Sequence, residues 1–133
     1  MNTRDKGELA EGIILAALLK KGISVSMPFG GTRRYDMIME EKDGSLLKVQ
    51  CKMGRLRRGV VLFKTCSTNG FTRKSRDYCG EVDLFMVYCP DNEGIYRVPM
   101  GKISKTQTSL RVEPVKNGQS KGILWAKDFE IAG

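Results

Sequence analysis

The chain has 133 residues, 41% of them apolar, and 23 Lys and Arg against 15 Asp and Glu, a formal net charge of +8; this describes one α/β-sized domain over residues 1–133, with one core and a charge surplus suited to a polyanion. Histidine is absent, which excludes Ser-His-Asp and Cys-His nucleophilic catalysis, histidine-held metals and nucleases with a histidine base. Cys51, Cys66, Cys79 and Cys89 form no C-x-x-C pair, which excludes a zinc knuckle or a thioredoxin-like motif and reads as reduced intracellular thiols.

Thr3 can cap a helix from about Arg4 to Lys21, with acids in its first turns, Lys20 and Lys21 near its end, and Gly22 to stop it. Its apolar stretch, Ile13 to Leu19, is too short to span a bilayer and follows Asp5, Glu8 and Glu11 rather than a basic leader. No membrane segment or secretion signal is expected, and a cytoplasmic location in a prokaryotic, phage or organellar setting follows. Ile23 to Met27 reads as a short strand, and Pro28, Gly30 and Gly31 turn the chain into a second at about Tyr35 to Glu41. Asp43-Gly44 signals a hairpin, with Leu46 to Lys52 returning.

After Gly54 to Gly59, Val60 to Lys64 reads as a fourth strand, followed by the long polar segment Thr65 to Gly80, a loop of a length that is usually functional or mobile. Val82 to Cys89 and Ile95 to Pro99 form another pair around Pro90, Asp91 and Asn92. The remainder, through Ser109 to Glu113 and Gly122 to Phe129, reads as short strands and turns with Trp125 as a packing anchor.

Between Lys52 and Arg76 there are eight basic residues and no acid, so the whole charge surplus lies in this stretch, where Phe63, Phe71 and nearby Tyr78 interleave with the cations. Solvated faces usually mix signs, so this one-signed run reads as a footprint for a phosphate backbone. Arg55, Arg57, Arg58, Lys64, Arg73, Lys74 and Arg76 are the candidate DNA contacts.

On the helix, Glu11 shares a face with Ile14, Leu15 and Leu18, where a carboxylate needs a partner or an escape to solvent. Asp36 opens the second strand, and Gln50 and Lys52, two apart on the third, point to one face. Taken singly, each is an ordinary surface residue. If the helix packs across this hairpin, Glu11, Asp36, Gln50 and Lys52 converge. Glu8, one turn before Glu11, and Asp83, opening a later strand, are second-tier candidates.

The order of helix acid, strand-opening Asp, then acid-or-amide, any residue, Lys resembles the PD-(D/E)XK nuclease superfamily. The stretch Lys6-Gly7-Glu8-Leu9-Ala10-Glu11 is similar to the opening of archaeal Holliday junction resolvases. A wider set, including Arg34-Tyr35-Asp36, residues 48–57 (KVQCKMGRLR), Gly80-Glu81-Val82-Asp83 and Leu110-Arg111-Val112-Glu113-Pro114, resembles the group I intron-associated members over essentially the whole chain. This resemblance implies an α/β (α+β), restriction-endonuclease-like core: an N-terminal helix on a mixed central β-sheet, with extra β-hairpins. It puts the active-site roles on Glu11, Asp36, Gln50 and Lys52.

It further implies a site-specific endonuclease of the homing type, cutting double-stranded DNA as a homodimer or homotetramer. Asp36, Glu11 and the backbone carbonyl of Cys51 would then offer hard oxygen ligands to Mg²⁺ or Mn²⁺. Gln50 stands where the superfamily usually has Asp or Glu, a replacement that the intron-associated group shares; it would serve as a weak ligand or orient water. Segment 65–80 is too rich in Gly, Ser, Thr and Arg for the usual crossover helix and reads instead as a DNA-contacting loop. The alternatives are a Holliday junction resolvase and a catalytically inactive DNA-binding module.

Overall fold

The computed structural model describes residues 1–31, 33–68, 75–114 and 122–131. Helix α1, Thr3–Lys20, starts one residue earlier than its sequence suggests, because the cap is Asn2, whose side chain accepts the Asp5 N–H at 2.8 Å. The helix buries Ala10, Ile14 and Leu18, a run of i, i+4 neighbours, and releases the chain at Gly22, whose φ of 77° suits a residue without Cβ.

An antiparallel meander follows: β1, Val25–Ser26; β2, Met37–Glu40; and β3, Leu46–Met53. The hairpin turn lies where Asp43-Gly44 predicts it, with Gly44 at φ 89° and the Asp43 carboxylate accepting from both the N–H and the hydroxyl of Ser45. Strand β8, Leu84–Cys89, then lies parallel to β3, and β9, Gly94–Pro99, pairs antiparallel with β8, which completes a mixed sheet of order β1-β2-β3-β8-β9.

A second sheet, ordered β10-β5-β4, consists of β4, Arg55–Arg57; β5, Val60–Lys64; and β10, Gln107–Arg111. Residues 54–59, given no element from sequence, therefore contain a strand, too short for its alternation to register there. Segment 65–80 supplies the antiparallel pair β6, Cys66–Thr68, and β7, Ser75–Asp77, rather than a continuous loop. Trp125 is half-buried and joins Arg111 through an isolated parallel bridge, while its neighbour Ala126 occupies the core in its place. Among the described residues, no helix is long and apolar enough to cross a membrane.

The central sheet separates two apolar clusters. On one face, Ile14 and Leu18 of α1 cover Met37, Met39, Val49, Cys51, Leu84 and Met86. On the other, Phe85, Val87 and Val98 meet Val61, Phe63 and Leu110 of the second sheet. Gly54 is the joint where β3 leaves the first sheet and becomes β4 of the second; its N–H donates to the Tyr88 carbonyl at 2.7 Å. A Cβ there would lie 2.9 Å from Val87 Cγ1 and 3.0 Å from Val61 Cγ1, both on fully buried side chains. Gly54→Ala is accordingly expected to destabilise the protein by about 1–3 kcal/mol through overpacking, read as a lower midpoint in a thermal melt.

Candidate active site

Strand β3 is gripped on both edges by an aspartate. On the β2 side, the Asp36 N–H donates to the Val49 carbonyl at 2.8 Å, and Asp36 Oδ2 accepts the Cys51 N–H at 2.8 Å. The carboxylate thus extends the ladder one step past the point where β2 begins. On the β8 side, Asp83 Oδ2 accepts the Lys48 N–H and the Asp83 N–H donates to the Lys48 carbonyl, each at 2.8 Å. Asp83 sets the start of the parallel pairing and is exposed, away from Lys52.

Alternation along β3 puts Val49 and Cys51 in the cluster under α1, so Gln50 and Lys52 point to the opposite face. There Lys52 Nζ lies 3.3 Å from the Tyr78 hydroxyl and 5.0 Å from its ring centre. The helix does pack across the hairpin, but on the face away from Gln50 and Lys52. Asp36 connects the two sides because it sits at the strand end rather than within the sheet.

Electrostatics link the same residues. Burial holds the Glu11 carboxyl above its ordinary value, and the charges of Asp36 and Glu8 push the same way. Burial also raises Asp36, opposed by the Cys51 N–H and the positive charge of Lys52. The Cys51 thiol is driven well up by burial, then by Asp36 and Glu11. Glu8 itself is exposed and ion-paired with Arg4 at 3.5 Å, four residues back on the helix.

Among the described residues, Gln50 Oε1 is buried without a hydrogen-bond partner, an expensive state for an amide oxygen. Among the described residues, no three or more His, Cys, Asp or Glu side chains gather into a metal cage. The donors present are two carboxyls, of which Asp36 raises Glu11, the Gln50 amide oxygen on the other face of β3, without a donor among the described residues, and the Cys51 carbonyl, which leaves β3 on the same edge as the N–H bound to Asp36. All are hard oxygens, a set that fits a divalent cation such as Mg²⁺.

Two further residues belong to this environment, and sequence spacing gave no sign of their part in it. The Arg34 guanidinium stacks 3.9 Å above the Tyr78 ring. Its Nη1 donates to the Asp77 carbonyl and Glu81 Oε2, both at 2.9 Å, and its Nη2 to Ser67 Oγ at 2.9 Å and the Arg76 carbonyl at 3.3 Å. Tyr78, edge-on to Phe85 at 5.4 Å, is 5% exposed. Arg34 thereby ties the β6–β7 pair to the tyrosine that contacts Lys52. Its place directly before Tyr35-Asp36 was the available signal, but its partners lie 33 to 47 residues further on.

Of the expected DNA contacts, Arg55, Arg57, Arg58 and Lys64 are exposed, with Arg58 at φ 49° in the β4–β5 turn. Arg76 is exposed but ion-paired with Glu81. Arg73 and Lys74 lie outside the described residues.

A helix laid on a mixed sheet, an aspartate at a strand end and a Gln-x-Lys run on the adjoining strand define the PD-(D/E)XK class of nuclease. A sequence model of the PD-(D/E)XK endonucleases matches residues 1–132, and the chain belongs to that family. It is a DNA endonuclease, and nucleases of this family generally use divalent metals. Its fold is similar to that of the bacterial homing endonuclease I-Ssp6803I, with a TM-score of 0.76 and 24% identity over 98% of this chain and 89% of that one. No curated protein matches the sequence.

Proposed function

We propose that the protein is a site-specific endonuclease of the homing type, hydrolysing phosphodiester bonds in both strands of duplex DNA with Mg²⁺ or Mn²⁺. The observation that carries the metal is the Asp36 carboxyl, tied to the Cys51 N–H and, like Glu11, held above its ordinary value, beside the strand on which Gln50 Oε1 is buried with no partner among the described residues. Asp36, Glu11 and the Cys51 carbonyl would hold the ion, with Gln50 a weak ligand or a guide for water. A cation there supplies Lewis acidity to the scissile phosphate and acidifies water at neutral pH.

The chain's own groups do the rest. Asp36, fixed by the Cys51 N–H, keeps one oxygen of its carboxylate in place at the strand end. The Lys52 ammonium, steadied by the Tyr78 hydroxyl, is preorganised to meet negative charge as it grows on the phosphate. No side-chain nucleophile is needed, consistent with a chain that has no histidine. With one site per chain, a homodimer or homotetramer with twofold symmetry presents a site to each strand of the duplex.

The test offers parent and Asp36→Ala proteins long randomised-site DNA and a four-way junction side by side, with Mg²⁺ or EDTA. Discrete Mg²⁺-dependent fragments that vanish in the variant are the expected result. Cutting of the junction alone would make the protein a resolvase, and binding without cleavage would make it an inactive DNA-binding module.

A further inference from the structure

We propose that the exposed face of the β10-β5-β4 sheet is the surface that enters the DNA major groove and reads base edges, with Gln107, Ser109 and Arg111 of β10 acting beside Arg55 and Arg57 of β4. This rests on the duplex-DNA reading above and adds a strand that the sequence analysis did not place among the DNA contacts.

The argument starts from register. Arg55 lies opposite Leu62 and Leu62 opposite Ser109; Arg57 lies opposite Val60 and Val60 opposite Arg111; Lys64 lies opposite Gln107. Alternation then divides each strand. Val61, Phe63, Thr108 and Leu110 are buried and Leu56 is half-buried, so the outward set is Arg55, Arg57, Val60, Leu62, Lys64, Gln107, Ser109 and Arg111. Four of these eight positions are cationic, and none is acidic or aromatic.

Among the described residues, none of the four cations is in an ion pair. Arg111 is held in place by the carbonyls of Glu113 and Pro114, which leave its charge uncompensated. The nearest acid along the strand, Glu113, packs against Gly59 at the hairpin end rather than on the face. The lack of aromatic residues argues against a single-stranded partner, which is bound by stacking bases on such rings.

Size and placement also fit. Three strands at about 4.8 Å spacing make a platform about 14 Å across, a little wider than a major groove of about 12 Å that admits a two-stranded ribbon, so the sheet lies over the groove and its outward side chains reach in. The inner side of the sheet is core, so the platform is rigid. Gly54 makes β4 the direct continuation of the strand that carries Lys52, which puts Arg55 and Arg57 at most about 10 and 17 Å of chain from it. With a rise of about 3.4 Å per base pair, the bases read by β4 lie within about five base pairs of the cut, and those read by β10, about 10 Å further across two strand spacings, within about eight. Glutamine and arginine are the side chains that pair two-pronged with adenine and guanine there, and Val60 and Leu62 offer apolar contact to thymine methyls.

The experiment measures binding in EDTA, so that cleavage plays no part, by selecting bound duplexes from a randomised pool with the parent, Gln107→Ala/Ser109→Ala and Arg55→Ala/Arg57→Ala. The β10 variant is expected to lower the ratio of specific to non-specific affinity about tenfold, with the lost preference confined to bases within about eight base pairs of the parent's cut. The β4 variant is expected to weaken binding, to relax the base preference within about five base pairs of the cut, and, through the two lost charges, to flatten the salt dependence by at most about two counterions. A parent without sequence preference, or variants with the parent's preference and salt slope, would overturn the proposal. A parent that binds selectively through this face yet never cuts would instead remove the nuclease reading and leave the reading surface standing.

Discussion

Asp36→Asn is expected to lower single-turnover cleavage by about 10³-fold while raising the melting temperature of the metal-free protein. Asn keeps a carbonyl oxygen to accept the Cys51 N–H, so the strand end survives and the change is one of charge. The carboxyl is raised in the folded protein chiefly by burial, as is that of Glu11, from ordinary values of 3.8 and 4.5. Such a group contributes stability that is fully present below its ordinary value and lost as pH rises through its folded one. The metal-free parent therefore loses stability as pH climbs above this acid range, and Asn removes the share due to Asp36.

At neutral pH the variant is therefore expected to melt above the parent. Melts in EDTA across pH, parent against variant, give this difference directly. Added Mg²⁺ is expected to raise the parent's midpoint by mass action and leave the variant's unmoved. A variant that melts below the parent at neutral pH would show that Asp36 serves the fold rather than a cation.

Lys52→Met, which keeps the alkyl stem and removes the charge, is expected to slow single-turnover cleavage by about 10²–10³-fold. Tyr78→Phe retains the ring under Arg34 and against Phe85 and deletes only the hydroxyl beside Lys52 Nζ. A loss of about tenfold is expected from that one contact. With Lys52 already replaced, Tyr78→Phe should cost nothing further, because the hydroxyl acts through the ammonium. Additive losses in the double variant would instead mean that Tyr78 supports the fold alone.

The hairpin of β2 and β3 was legible because its signals are local: Asp43-Gly44 for the turn, alternation for Gln50 and Lys52, and Asp36 at the strand's opening. The helix was legible from its apolar period, although Asn2 rather than Thr3 caps it, a choice between adjacent residues that both cap well. The side of the sheet on which α1 lies was not legible. Glu11 accordingly meets Asp36 at the strand end, with the sheet between α1 and the side chains of Gln50 and Lys52. Strand β4 escaped because three residues are too few for a period. Arg34 escaped because its partners Ser67 and Glu81 are brought to it only by the tertiary fold.

The four thiols end up as unequal chemical handles. Cys51 is buried against two carboxyls and resists ionisation, and Cys89 is buried and shifted the same way, so neither is a ready target for alkylating reagents. Cys79 is exposed and follows Tyr78 directly, with its backbone N–H tied to Asp77. A maleimide dye placed there would sit beside the stack that joins Arg34 to Lys52. The native chain thus carries its own attachment point for a fluorescence probe of the site, with no engineered cysteine.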